Sequence, residues 1–299
     1  MDDVSSAELD QLLELAAKAK ASPGDFAERL AGRSVAMVFE KPSARTRVSF
    51  EVAVAETGGH PVVLSDEELQ MGRRESIEDV GRVLSRYVDL IVLRTFGQER
   101  LEFLAKAASV PVVNALSDFE HPCQCLADLL TVREKKGGLA GVTLTYLGDG
   151  NNVAHSLLLG GALCGMRVRV ATPPGFEPIP QVVTRAEEIA SSTGGSVAVF
   201  TDPEAAAVGA DVLYTDVWAS MGQEQEADER SLVFPAYRLD QTALERAAGD
   251  VVVLHCLPAH RGQEITDEVI DGPHSAVWDQ AENRLHTQKA LLLWLLEAA

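Results

Sequence analysis

Short runs of apolar, often branched residues recur along the chain, at 35–39, 61–64, 90–93, 110–113, 144–147, 168–171, 197–200, 212–214 and 251–254. They are unbroken rather than alternating, the pattern of strands buried on both faces of a parallel sheet. Amphipathic stretches of helical period lie between them, among them 48–56, 77–85, 101–108, 126–134 and 154–164. The first runs into Thr57-Gly58-Gly59, a sequence suited to ending a helix. Strand–helix alternation of this kind predicts an α/β fold with parallel sheets.

Nine strands suit either a single (β/α) barrel or two smaller doubly wound sheets. The segment Glu134-Lys135-Lys136-Gly137-Gly138-Leu139-Ala140-Gly141 is polar, glycine-rich and near the midpoint, and it favours two doubly wound domains. The expected division is a first domain over 1–133 and a second over 134–275. A C-terminal piece over 276–299 then carries a short strand at 276–278 and a final helix, which by its pattern alone could pack on either domain and is expected to return to the first.

Composition narrows the class. The chain of 299 residues is 46% hydrophobic and 24% charged, ordinary for a soluble globular protein. Two domains of about 150 residues can bury cores that need no disulfide or structural metal. The opening MDDVSSAELD is acidic and polar, unlike a secretory leader, and the apolar runs are far too short to span a membrane. Four cysteines, two of them in Cys123-x-Cys125, show neither a disulfide framework nor a CxxC metal pattern. A cytoplasmic location is expected. The net charge of −19 argues against nucleic acid or an anionic membrane as partner. It does not exclude a small anion. A charge about 20 Å away in water contributes ~0.2 kcal/mol, whereas a half-buried arginine at about 4 Å contributes ~4 kcal/mol.

Five stretches carry more polar residues than a scaffold needs, each after an expected strand or at a helix start, where α/β sheets bind ligands. Phe39-Glu40-Lys41-Pro42-Ser43-Ala44-Arg45-Thr46-Arg47 brings hydroxyls and guanidinium groups to a helix start, which suits a phosphate or, equally, a capped helix with solvated arginines. Asp118-Phe119-Glu120-His121-Pro122-Cys123-Gln124 places Pro122 at a first helical position, with His121 and Gln124 on one edge as neutral donors. Leu147-Gly148-Asp149-Gly150-Asn151-Asn152-Val153 suggests a nicotinamide cofactor through Gly148-x-Gly150, but Val153 stands where a third small residue is required. Thr215-Asp216-Val217-Trp218-Ala219-Ser220-Met221-Gly222-Gln223 offers a carboxylate and a hydroxyl to an ammonium group. His255-Cys256-Leu257-Pro258-Ala259-His260-Arg261 pairs a histidine with a cysteine, without a recognised zinc spacing.

In this order the five stretches resemble the transcarbamoylases, and within them the ornithine branch, over nearly the whole chain. FEKPSARTR is similar to the family's phosphate loop, and HPCQ matches its H-P-x-Q. GDGNNVAHS, DVWASMGQE and HCLPAHRG resemble its amino-acid-domain motifs. Ala281-Glu282-Asn283-Arg284 resembles its terminal arginine motif.

The resemblance implies a carbamoyl phosphate site of Ser43, Ala44, Arg45, Thr46, Arg94, His121, Gln124 and Arg284, with Cys256 and Leu257 facing the reacting carbon and amine. Gln70 sits where family members lend a glutamine to a neighbouring subunit's site. Asn152, Asp216, Ser220 and Met221 are implied to hold L-ornithine. Arg45, His121, Asp216 and Cys256 are the implied catalytic set.

The implied reaction moves the carbamoyl group from carbamoyl phosphate to the δ-amine of ornithine, giving citrulline and phosphate. The implied assembly is a homotrimer or a multiple of one, active in arginine biosynthesis with no cofactor and no metal. Ala44 departs from the family, which usually has threonine there. The lost hydroxyl is worth about 0.5–1.5 kcal/mol to a neutral acceptor and about 1.5–3 kcal/mol to a charged one, so weaker phosphate binding is expected at most. The rival readings are a sister transcarbamoylase with another amine acceptor such as putrescine, a non-catalytic binding protein, and a nicotinamide-dependent oxidoreductase.

Overall fold

The computed structural model describes residues 1–219 and 227–297. Its first half contains α1 (Ser6–Ala21), β1 (Ser34–Phe39), α2 (Ala44–Glu56), β2 (His60–Ser65), α3 (Asp66–Leu69), α4 (Ile77–Leu84), β3 (Leu90–Arg94), α5 (Gln98–Ala107), β4 (Val112–Leu116) and α6 (Pro122–Lys136). The second half contains β5 (Thr143–Leu147), α7 (Asn152–Leu163), β6 (Arg167–Ala171), α8 (Pro180–Thr193), β7 (Ser196–Phe200), α9 (Pro203–Ala207), β8 (Val212–Thr215), α10 (Ala227–Val233), α11 (Gln241–Arg246), β9 (Val252–His255), α12 (Asp267–Ile270) and α13 (Val277–Glu297).

The apolar runs form two parallel sheets, one of four strands in the order β2-β1-β3-β4 and one of five in the order β7-β6-β5-β8-β9. In each, the winding reverses beside the first strand, between β1 and β3 and between β5 and β8. Such a switch point opens a crevice at the carboxyl ends of the two strands. Phe39 at the end of β1 pairs with Arg94 at the end of β3. Leu147 at the end of β5 pairs with Thr215 at the end of β8. These two register pairs decide where the functional side chains emerge.

The chain divides into a five-stranded unit, Met1–Leu9 with Ala127–Asn283, and a four-stranded unit, Asp10–Leu126 with Arg284–Ala299. It passes between them inside α1, α6 and α13, while the glycine-rich stretch after α6 leads into β5.

Strand residues of opposite parity serve opposite faces of the four-stranded sheet. Val35, Met37, Leu90 and Val92 pack with Phe50 and Ala53 of α2 and with Leu292, Leu293 and Leu296 of α13. Ala36, Val38, Ile91 and Leu93 pack with Val80 and Leu84 of α4 and Leu101 and Leu104 of α5. Burying one such side chain contributes about 1.5–3 kcal/mol. The C-terminal part of the final helix therefore covers the first sheet, as expected.

The strand expected at 276–278 does not form. Ser275 makes an isolated bridge to Val253, and α13 has begun by Val277. Three apolar residues are too few to separate a strand from a first helical turn. In the five-stranded unit, Leu147, Leu213 and Val253 pack with Ala206, Ala207, Ile265 and Val269. No helix among the described residues is long and apolar enough to cross a membrane.

Candidate active site

In the four-stranded unit α2 starts at Ala44, four positions before the expected 48. The reason is Ser43, an N-cap in extended backbone whose Oγ accepts from the Thr46 N–H at 3.3 Å. Ala44, Arg45 and Thr46 thus form the first turn, whose amide hydrogens have no helical acceptor and suit an anion. Thr46 is buried; its Oγ1 accepts from Ser43 Oγ at 3.0 Å and from Arg284 Nη2 at 3.0 Å. Arg284 Nη1 donates to Gln124 Oε1 at 3.0 Å. Gln124 is held there by α6, which starts at Pro122 directly after His121, the position its proline suited.

Arg94 ends β3, is 8% exposed, and its Nε finds no partner among the described residues. Burial, then the charges of Arg284 and Arg45, bring its pKa down to about 10. His121 is held well below the usual imidazole range by burial and by Arg284, Arg94 and Arg45, so its ring is neutral. Ser43, Arg45, Thr46, Arg94, His121, Gln124 and Arg284 are therefore one constellation. A buried guanidinium left without a counter-ion is costly, and an arriving anion relieves that cost.

Two ion pairs behind this set escaped the sequence reading. Lys41 Nζ donates to Asp118 at 2.7 Å and lies 4.2 Å from the centre of the Phe96 ring. Glu40 is paired with Arg100. Gln70 is not brought to the arginines. Its side chain is exposed and bonds locally, to the Glu67 carbonyl at 3.5 Å.

In the five-stranded unit Asp216 follows β8 and is 6% exposed. It accepts from Asn151 Nδ2 at 3.0 Å, the Val217 N–H at 2.8 Å and Cys256 Sγ at 2.9 Å. Asn151 also caps α7, accepting from the Val153 and Ala154 N–H groups at 2.9 and 3.2 Å. Asn152, the residue singled out from sequence, is the first helical residue, and its neighbour Asn151 reaches Asp216. The Asn-Asn pair before an apolar helix was the available signal for a cap. Ser220 and Met221 lie outside the described residues.

Burial and the adjoining Asp216 carboxylate push the Cys256 thiol well above its ordinary range, so it is a protonated donor. The structure groups Cys256 and Leu257 with Asp216, in the five-stranded unit. Leu257 has a left-handed backbone at φ +58°, and its N–H donates to His255 Nδ1 at 2.9 Å. His255 Nε2 meets Glu264 Oε1 at 3.1 Å, both side chains fully buried, which locks the ring that orients this turn.

Donor atoms of Asp216, His255 and Cys256 lie within 4.8 Å of one another. Both His255 nitrogens are already engaged, so a metal there requires those bonds to break. Two further supports were missed. Arg230 Nη1 donates to Asp149 and to the Trp218 carbonyl, each at 2.7 Å. Gln280 accepts from the His255 N–H at 2.8 Å and donates to Asp128 at 2.7 Å. It lies one turn before Arg284 on the same helix.

The Gly148-x-Gly150 turn has another explanation. A Cβ on Gly150 would sit 2.3 Å from Pro178 N and 2.6 Å from the Phe176 carbonyl oxygen. The close approach that a dinucleotide pyrophosphate needs is taken by the chain's own backbone.

A guanidinium-rich switch point in one unit suits an anion, and a hydrogen-bonded carboxylate at the switch point of the other suits an amine or a cation. Two family models account for the chain: the carbamoyl-P binding domain of aspartate/ornithine carbamoyltransferases matches residues 1–134, and their Asp/Orn binding domain matches residues 140–295. The chain belongs to the aspartate/ornithine carbamoyltransferase family. It is 63% identical over 298 residues to the ornithine carbamoyltransferase of Parafrankia sp., covering 99% of this chain and 94% of that one. Identity to the Acidothermus cellulolyticus ornithine carbamoyltransferase is 60% over 298 residues, covering 100% and 96%. The solved ornithine carbamoyltransferase from Pyrococcus furiosus superposes with a TM-score of 0.97 at 51% identity, covering 99% of this chain and 96% of that one.

Proposed function

We propose that the protein transfers the carbamoyl group of carbamoyl phosphate to the δ-amine of L-ornithine, giving citrulline and phosphate. The observation that carries this reading is Arg94, buried beside the charges of Arg45 and Arg284 with an Nε that meets no partner among the described residues. The ornithine carbamoyltransferases to which the chain is so similar support the choice of acceptor.

The phosphate of the donor binds at Ser43, the Ala44 and Arg45 amides, Thr46, Arg94, Gln124 and Arg284. Ala44 contributes a backbone N–H where a hydroxyl is missing. As the amine attacks, negative charge grows on the carbonyl oxygen, and neutral His121, Arg45 and Thr46 donate to it. The departing phosphate gains charge, which the guanidinium groups favour over the ground state.

The α-ammonium and carboxylate of ornithine bind at Asp216, Asn152, Ser220 and the Met221 backbone. An alkyl ammonium with a pKa near 10.4 is under about 1% neutral at pH 7.5, so the site must favour the free amine. Cys256, protonated beside Asp216, serves as a donor rather than a base. The Leu257 carbonyl accepts from the attacking nitrogen. No covalent intermediate on the protein is needed; orienting two bound substrates supplies much of the acceleration.

The same reading extends to a homotrimer or a multiple of it in which Gln70 serves a neighbouring subunit, to a cytoplasmic location and to arginine biosynthesis. The test is acceptor profiling with carbamoyl phosphate. Citrulline and phosphate should appear in equal amounts with ornithine, and putrescine should react at under about 1% of that rate. Faster carbamoylation of putrescine than of ornithine overturns the choice of acceptor. No carbamoyl transfer to any amine overturns the reading itself.

A further inference from the structure

Arg100 is the third residue of α5, on the opposite face of the sheet from the α2–α13 layer. Its guanidinium reaches three acceptors on two segments. Nε donates to Glu40 Oε2 at 3.0 Å, Nη2 donates to Glu40 Oε1, and Nη2 also donates to the Met71 carbonyl at 2.7 Å. Glu40 is itself buried, with a side chain 4% exposed, and its Oε2 accepts from Thr95 Oγ1. The Glu40 N–H donates to the Arg94 carbonyl at 2.9 Å. One fork thus ties the turn after α3 to the chain just before Ser43 and to the chain just after Arg94.

The turn's own hydrogen bonds, from the Gly72 N–H to the Glu75 carbonyl at 2.7 Å and from the Arg73 and Arg74 N–H groups to the Gln70 carbonyl at 2.9 Å, fix its local shape. Arg100 ties that shape to Glu40. Gln70 has a left-handed backbone at φ +46°, unusual for a residue with a side chain. Met71 and Glu75 form an isolated bridge within the turn. Gly72 lies under the fork, where a Cβ would come 3.1 Å from Arg100 Nη1. Met71 is buried and anchors one side, while Gln70 next to it faces solvent. A half-buried ion pair adds little stability over an apolar replacement, so its geometric work is the more informative property.

We propose that Arg100 is a positioning residue for the donor site that Gln70 serves in a neighbouring subunit, holding Gln70 in register with the ends of β1 and β3 of its own chain through Glu40 and the Met71 carbonyl. Its action on Gln70 rests on the reading that Gln70 contributes to a carbamoyl phosphate site. A displacement of about 1 Å in a substrate-positioning group can change rates by about a hundredfold, so a support of this kind shows in kinetics.

The test is a double-mutant cycle on the full-length protein with Gln70→Ala and Arg100→Gln, read as KM for carbamoyl phosphate with kcat measured alongside. Each single variant is expected to raise KM about tenfold, and the double variant about ten- to twentyfold rather than a hundredfold, because Arg100 acts through Gln70. Arg100→Lys, which can hold one acceptor but not the fork, serves if Arg100→Gln does not fold, and its smaller effect should likewise vanish on Gln70→Ala. Multiplying effects, or an unchanged KM in a folded Arg100 variant, overturn the proposal while Gln70 keeps its role. An unchanged KM for Gln70→Ala removes the reading of Gln70, and the proposal with it.

Discussion

The two switch points treat charge in opposite ways. In the four-stranded unit Arg94 is buried beside other arginines and its Nε has no partner among the described residues, so part of its bonding capacity is left for a guest. In the five-stranded unit Asp216 is equally buried but already accepts three hydrogen bonds, from Asn151, Val217 and Cys256. The first arrangement is unfavourable until an anion arrives and therefore discriminates by charge. The second is satisfied at rest and presents a fixed acceptor, which suits orienting a cation or an amine. One unit is tuned for affinity toward a phosphate and the other for geometry at a nitrogen.

The largest expected effect is on the first side of this contrast. Arg45→Lys should lower kcat/KM for carbamoyl phosphate about a hundredfold or more, because a point charge cannot reproduce forked phosphate contacts. Near-normal steady-state kinetics would show that the α2 turn is not the phosphate site. Asp216→Asn should raise KM for ornithine about ten- to a hundredfold and leave that for carbamoyl phosphate within about twofold. Equal losses for both substrates would erase the distinction between the units.

Cys256→Ala should cost about tenfold in kcat and Cys256→Ser less, since a hydroxyl can still donate to Asp216. If serine is as poor as alanine, hydrogen-bond donation is not what the thiol supplies. The smallest effect concerns stability. His121 stays neutral in the folded chain but takes up a proton near pH 6.5 when unfolded, so acid favours the unfolded state. Stability should fall as pH drops below about 6.5, with His121 contributing at most about 1.4 kcal/mol per pH unit. Urea midpoints at pH 5.5 and 7.5 should be closer together in His121→Asn than in the parent; an unchanged gap would mean that His121 is not held neutral.

Much of this was legible along the chain, for identifiable reasons. Buried parallel strands need unbroken apolar runs, so the nine strands and their alternation with helices stood out. The loops at their carboxyl ends could then be read for chemistry. The start of α2 was misplaced because the turn Ala44-Arg45-Thr46-Arg47 has no apolar rhythm; only the cap at Ser43 announces it. The cap at Asn151 is likewise invisible to apolar rhythm. Supports such as Glu40–Arg100, Asp149–Arg230 and Asp128–Gln280 join positions 60, 81 and 152 residues apart. Polar pairing over such spans leaves no periodic trace, since it is set by which strand lies beside which.

Calorimetric titration of inorganic phosphate into the protein and into Arg94→Gln addresses the buried arginine set without involving the acceptor. One phosphate per chain should bind, and the substitution should weaken it about ten- to a hundredfold, as expected for losing a charged hydrogen-bond partner. The same affinity in both proteins would contradict the assignment of this cationic switch point to the donor's phosphate.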